Sequence, residues 1–282
     1  MTYIWNEFLP TMAYNLLKGK KGIIFGALDE KSMAWRAALR CYEEGAQIVL
    51  TNAPVAMRMG EIKKLAEACG NAPVIPADVT SGDDVEKLLT QSMDYFNGPV
   101  DFILHSVGMS VNMRKGNPYT DLNYAFTEKT YDISALSLHR VLQTAWKLDA
   151  LAEWGSVVAL SYIAAQRVFP DYSEMADSKA LLESIARSFG YHYARKKKVR
   201  INTVSQSPTR TTAGSGVKGF DGFISYAEKM SPLGNATADD CANYLVTLFS
   251  DLTRMVTMQN LFHDGGFSFT GVSLEVIEQM EK

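Results

Sequence analysis

Cysteine is scarce: Cys41, Cys69 and Cys241 are the only three among 282 residues, odd in number and widely scattered. That excludes a disulfide framework and fits reduced thiols in a cytoplasm. The four histidines, His105, His139, His192 and His263, fall at no metal-ligand spacing with each other or with the cysteines, so no metal is expected. No apolar run reaches the roughly 18 residues of a membrane span. The N-terminus lacks a basic region followed by a long apolar segment, which excludes a secretory signal. Surplus charge is absent too: a net charge of -3 and a pI near 5.9 give no global attraction to nucleic acid or to an anionic membrane. The one basic cluster, Arg195 to Lys198 with Arg200, closes a helical pattern, where cations complement the helix dipole.

What is present is ample apolar material, 47% of the chain, arranged in alternating patterns. Short β-rich runs at Gly22 to Phe25, Ile48 to Leu50, Pro73 to Ile75, Phe102 to His105, Ser156 to Leu160, Ile201 to Val204 and Leu261 to His263 read as strands. Amphipathic stretches at Met33 to Glu44, Asp83 to Phe96, Asp132 to Leu151, Tyr172 to Lys197 and Thr237 to Ser250 read as helices. Strict alternation implies parallel strands with right-handed crossovers. The expected fold is therefore an α/β, Rossmann-like doubly wound sheet of about seven strands with helices on both faces. No linker or composition break interrupts 13–282, which reads as one domain. Residues 1–12, rich in aromatic and apolar side chains, read as a docked arm or as a start-site extension, since Met12 can equally begin the domain.

The small, polar, glycine-rich segment 205–222 follows the sixth predicted strand. A long loop at the C-terminal edge of a parallel sheet lies where such folds bind ligands, and it reads as a mobile lid or as an exposed connection.

Tyr172 and Lys179 stand seven residues apart, about two turns, and would share one face of a helix. A lysine ammonium beside a phenol shifts the acid toward neutral pH and can hold ribose hydroxyls. The spacing alone equally describes a solvated helix face. Gly26 ends the first strand, and Ser32 and Met33 open the following helix, a placement suited to a pyrophosphate or to a plain βα turn. Asp78 and Val79 follow the third strand, and Ser106 and Gly108 the fourth. There an aspartate can meet an adenine amino group, or simply cap a helix. Three neighbouring loops offering the same ligand's chemistry in order favour the cofactor reading.

With the Gly26-x5-Ser32-Met-Ala34 turn, His105-Ser-Val-Gly108, Asp132-Ile-Ser134, Tyr162-x9-Tyr172-x6-Lys179, Pro208-Thr-Arg-Thr211 and His263-Asp-Gly-Gly-Phe-Ser268, the chain resembles bacterial enoyl-acyl carrier protein reductases of the short-chain dehydrogenase superfamily. Ordinary superfamily members carry a serine about a dozen residues before the tyrosine; here Ala159 and Leu160 stand there. The resemblance implies reduction of the trans-2 double bond of an enoyl thioester on acyl carrier protein, in a cytoplasmic protein often assembled as a homotetramer through its long helices. It implies catalytic roles for Tyr162, Tyr172 and Lys179, with Tyr172 donating to the thioester oxygen. Cofactor contacts would come from Gly26, Ser32, Met33, Asp78, Val79, Ser106, Gly108, Lys179, Pro208, Thr209 and Thr211. Substrate contacts would come from Met109, Tyr162, Tyr172, Met175 and Phe220; charge and position alone point to Arg210 and Lys218 as the cations that meet the acidic carrier. NADH is the cofactor the resemblance favours. The second strand ends Thr51-Asn-Ala-Pro54, without the acidic residue that holds ribose hydroxyls, so NADPH with Arg58 as a phosphate partner stays open. Two further readings stand beside this one: a short-chain carbonyl or alcohol dehydrogenase, and a cofactor-sensing regulator without catalysis.

Overall fold

Side chains on a strand alternate between faces, and here both faces are apolar, so the sheet must be covered on both sides. The computed structural model describes residues 13–59, 61–212 and 220–281. The arm at 1–12 lies outside the described residues, as do 213–219 of the predicted loop, Lys218 among them. Six parallel strands form the sheet: β1 (Lys21–Phe25), β2 (Gln47–Thr51), β3 (Val100–His105), β4 (Leu151–Ser161), β5 (Arg200–Gln206) and β6 (Asn260–His263), in the order β2-β1-β3-β4-β5-β6. Helices α1 (Met33–Glu43), α2 (Pro54–Met59), α3 (Ile62–Ala68), α4 (Gly82–Phe96), α5 (Val111–Lys115), α6 (Tyr124–Tyr131), α7 (Ser137–Lys147), α8 (Met175–Lys197), α9 (Phe220–Met230), α10 (Ala238–Phe249) and α11 (Leu274–Met280) fill the intervals.

Alternation along β1 sorts the two cores. Ile24 packs with Trp35 and Cys41 of α1 and Leu245 and Phe249 of α10 on one side. Ile23 and Phe25 pack with Leu88 of α4, Leu142 of α7 and Leu182 of α8 on the other. Burying each such side chain is worth about 1.5–3 kcal/mol, and the two layers fix the register of the sheet between them.

The expected seventh strand, Pro73 to Ile75, reduces to a single bridge between Val74 and Leu50. Prolines at 73 and 76 remove two amide donors, so the run holds β2 only through the Leu50 amide to the Pro73 carbonyl and the Ile75 amide to the Leu50 carbonyl. The predicted helix Asp132 to Leu151 also divides. Asp132–Leu136 is a π-helical turn, α7 stops at Lys147, and β4 already begins at Leu151. Tyr172 is not in α8. It closes a separate 3-10 turn, Pro170–Tyr172, and Ser173 at φ 51 and ψ -148 breaks the chain before Met175 begins the helix.

Candidate active site

Strand order reverses between β1 and β3, where chain connections leave to opposite sides and open a crevice at the C-terminal edge. A cavity of about 770 Å³ occupies it. The turn after β1 forms one wall. Gly26, at φ 93, needs the left-handed region, and a Cβ there would lie 1.9 Å from the Ser106 carbonyl oxygen, so β1 and β3 touch through a glycine. Ser32 caps α1: its hydroxyl accepts from the Trp35 amide at 3.2 Å and donates to the Asp29 carbonyl at 2.9 Å. The cap consumes Ser32, so the groups this helix offers an anion are the amides of Met33 and Ala34, which carry no hydrogen bond to a described residue.

Asp78 is exposed at the rim and holds Thr80 through one oxygen, at 2.9 Å to the amide and 2.7 Å to the hydroxyl. Ser81, rather than Asp78, caps α4. The other Asp78 carboxylate oxygen is free to accept from a ligand. Arg140 fixes Val79 beside it, donating to the Val79 carbonyl at 2.8 Å while paired with Asp132. At the end of β2, Asn52 is folded inward on the Ala27 carbonyl and the Ala53 amide. Ala53, Val55 and Ala56 line the cavity there, and Arg58 is exposed and absent from the lining.

Tyr162, Tyr172 and Lys179 meet at the far end, from three different local structures. Tyr162 follows the last residue of β4. It is 9% exposed, and its hydroxyl is buried without a hydrogen-bond partner. Its ring centroid lies 5.1 Å from that of Tyr172 and 5.4 Å from that of Phe169. Burial, with Tyr172 and Asp264 nearby, pushes the Tyr162 phenol above its ordinary range; burial alone raises Tyr172. Both phenols therefore stay protonated near neutrality and can donate. Lys179, on α8, is buried and donates to the Leu160 carbonyl at 2.8 Å. Burial brings its ammonium down to about 8, partly opposed by Glu183. Serine is not available for the same work: Ser161, the nearest along β4, is buried and spends its hydroxyl on Glu183 at 2.7 Å.

The remaining wall is built by irregular backbone. In the π-helical turn Ser134 points its hydroxyl at Met109, accepting from the amide at 2.9 Å and donating to the carbonyl at 3.2 Å. Gly108 faces Lys179, Met175 and Ser134 without crowding them. Thr209 bonds the Ser207 carbonyl at 3.1 Å, and the Ser207 amide donates to the His263 carbonyl at 3.0 Å, so the loop after β5 is tied to β6.

Fifteen of the residues expected to act on the substrate or cofactor, from Gly26 to Thr211, line this one cavity. Phe220 begins α9, but its side chain lies outside the described residues. Phe223, one turn on, lines the cavity and stacks edge-on with Phe169 at 5.2 Å. Phe169 and Phe223 were not singled out from the sequence, and Ser134 entered only within the Asp132-Ile-Ser134 motif, without a role of its own. The first two could have been found as aromatics flanking the tyrosines and the lid, whereas nothing in the sequence signals the π-helical turn.

The crevice, the helix N-terminus facing it and the tyrosine and lysine at its end define a reductase of the short-chain dehydrogenase class. The profile of the family described as "Enoyl-(Acyl carrier protein) reductase" matches residues 26–268. A solved FabI-NADH complex from Alistipes finegoldii is 64% identical, with a TM-score of 0.91, covering 92% of this chain and 92% of that one. The enoyl-[acyl-carrier-protein] reductase [NADH] FabI of Aquifex aeolicus is 31% identical over 260 residues, 91% of this chain and 94% of the relative. The enoyl-[acyl-carrier-protein] reductase [NADH] 2 of Rhizobium meliloti is 30% identical over 258 residues, 91% and 94%. This chain belongs to the enoyl-(acyl carrier protein) reductase family.

Proposed function

We propose that the chain reduces trans-2-enoyl thioesters carried on acyl carrier protein, in fatty-acid biosynthesis, with NADH. One observation carries the assignment of roles: two protonated phenols, Tyr162 buried and Tyr172 half-buried, share a cavity with a buried ammonium. When bound, the reduced nicotinamide supplies the hydride that the β-carbon of the substrate takes up. Negative charge then develops on the thioester oxygen, and a donor aimed at that oxygen lowers the barrier. Tyr172 is that donor, giving its phenolic proton toward the oxygen as the charge forms. Lys179 holds ribose hydroxyls and, held in place by the Leu160 carbonyl, keeps positive potential next to the phenol. Tyr162 shapes the pocket with Phe169 and Phe223 and offers its unpartnered hydroxyl as a second donor.

The other end fits a dinucleotide. The free amides of Met33 and Ala34 suit a pyrophosphate, with Ser32 as their cap and Gly26 and Ser106 giving close backbone approach. The free oxygen of Asp78, with Val79, suits an adenine, and Gly108, Pro208, Thr209 and Thr211 flank the nicotinamide. Met109 and Met175 supply flexible apolar surface to an acyl chain, as Phe220 would. Preference for NADH is supported by the uncharged lining from Ala53 to Ala56, where no cation among the described residues lines the cavity to meet a 2′-phosphate. Two exposed cations on the cavity lining, Arg114 and Lys129, have no ion pair among the described residues and suit the acidic carrier better than Arg210, which is engaged with Asp221. Assembly as a homotetramer through the exposed faces of α7 and α8, where Tyr191 is 57% exposed, is part of the same reading. So is a cytoplasmic location, supported by three free, buried cysteines; no described helix is long and apolar enough to cross a membrane.

The test is loss of reduced-nicotinamide absorbance with a trans-2-enoyl thioester, using each cofactor, for the native chain beside Tyr172→Phe. A fall of about 10²–10⁴ in kcat for the variant is expected, with kcat/KM higher for NADH than for NADPH. Cofactor binding without turnover of any enoyl thioester would point to a regulator, and keto-substrate turnover exceeding enoyl turnover to a carbonyl dehydrogenase.

A further inference from the structure

Two residues beyond Tyr172 lies a carboxylate with no exposure at all. Glu174 Oε1 accepts from Ser110 Oγ at 2.9 Å and from Thr130 Oγ1 at 2.5 Å, while Oε2 is buried without a partner. Burial works against the charged form, yet hydrogen bonds from Thr130, Ser173 and Ser110 hold the Glu174 carboxyl below its ordinary range, so the site keeps it ionised and accepting from these hydroxyls. Its partners at Oε1 come from separate segments, Ser110 from the cavity lining and Thr130 from behind it. Ser110 caps α5 directly after Met109, and Thr130 stands two residues before the π-helical turn that carries Ser134. Between Tyr172 and Glu174 sits Ser173, 3% exposed and in a backbone conformation that L-residues rarely adopt. Such a residue persists only where its surroundings over-determine it.

We propose that Glu174 is a positioning residue for Tyr172: its bonds to Ser110 and Thr130 pin the chain just past the strained Ser173 link, keeping Tyr172 out of α8 and against the cavity. Without the pin, Ser173 relaxes toward helical φ, α8 extends toward its N-terminus, and the phenol swings away from the substrate. The effect is geometric. Burial is what raises the Tyr172 phenol. The inference rests on the reading of Tyr172 as the proton donor.

The test compares Tyr172→Phe, Glu174→Ala, Glu174→Gln, Thr130→Val and the double variant Glu174→Ala with Ser173→Gly, measuring kcat and the KM for NADH. Glu174→Ala is expected to lower kcat about tenfold or more with the KM for NADH within about twofold, since small misplacements of a catalytic group cost that much. Glu174→Gln keeps kcat within about threefold, because its amide oxygen still accepts from both hydroxyls. Ser173→Gly recovers part of the loss in the double variant, since glycine takes this φ without strain. Should the alanine variant fail to fold, Thr130→Val removes one tie with little change in shape and lowers kcat by about threefold, again at constant KM. Native kcat in both Glu174→Ala and Thr130→Val overturns the proposal, as does an equal loss in Glu174→Gln and Glu174→Ala. If Tyr172→Phe retains activity, the reading of the donor falls instead; if only Tyr172→Phe is impaired, this inference falls alone.

Discussion

The two ends of the cavity are built in opposite ways. The end proposed for the cofactor uses regular strand and helix termini: a glycine closing β1, the first amides of α1 and an aspartate shortly before α4. The chemical end uses a 3-10 turn, a residue at φ 51, a π-helical turn and packed aromatics. Regular termini present backbone amides to a ligand whose shape does not change during the reaction. A donor that must meet charge as it develops has to be held at one orientation, and that requires backbone that regular elements do not supply.

The largest effect expected in breaking this contrast is at the regular end, where a single methyl should do damage. Gly26→Ala places a Cβ against the Ser106 carbonyl at positive φ, and backbone strain of this kind costs about 1–3 kcal/mol before the clash is added. Thermal unfolding should show at least that loss, together with a raised KM for NADH; a variant with native Tm and KM would mean that the two strand ends slide apart freely.

A smaller effect sharpens the chemical end. Lys179 titrates near 8 because burial disfavours its ammonium, so kcat/KM should fall as pH rises through about 8, approaching tenfold per pH unit above it. Stability moves the other way. The folded lysine loses its proton at lower pH than the unfolded one, whose ordinary value is 10.5, so its contribution to stability rises with pH between about 8 and 10.5. A flat kcat/KM from pH 7 to 9 would remove the ammonium from the mechanism.

The smallest effect concerns the rim. Arg114→Glu and Lys129→Glu should raise the KM for carrier-bound substrate about threefold to tenfold at low salt, less at high salt. Turnover of the uncharged pantetheine thioester should stay unchanged. Equal KM values for both substrates in the variants would show that the carrier docks elsewhere.

That Gly26, Ser32, Met33, Asp78 and Ser106 would share one crevice was legible in the sequence because its signals are local. Gly26, Ser32 and Met33 occupy the junction of an apolar run and an amphipathic one, and Asp78 and Ser106 follow similar runs. The missing seventh strand was legible in principle, since Pro73 and Pro76 deny it donors. Tyr172 was placed correctly in the cavity for an incorrect reason: the seven-residue spacing suggested one helix face, yet the tyrosine reaches the site from a turn outside α8.

The sequence by itself determined the alternation of strands and helices and the two apolar layers, because periodicity is a property of short stretches, and its resemblance to a family nominated Tyr162, Tyr172 and Lys179 as the reacting groups. Only the tertiary structure decided how those groups face one another. Ser173 holds φ 51 because Glu174 reaches residues 44 and 64 positions away, and Ser134 meets Met109 across a π-helical turn. Contacts between distant segments over-determine local conformations that no stretch of chain would choose alone.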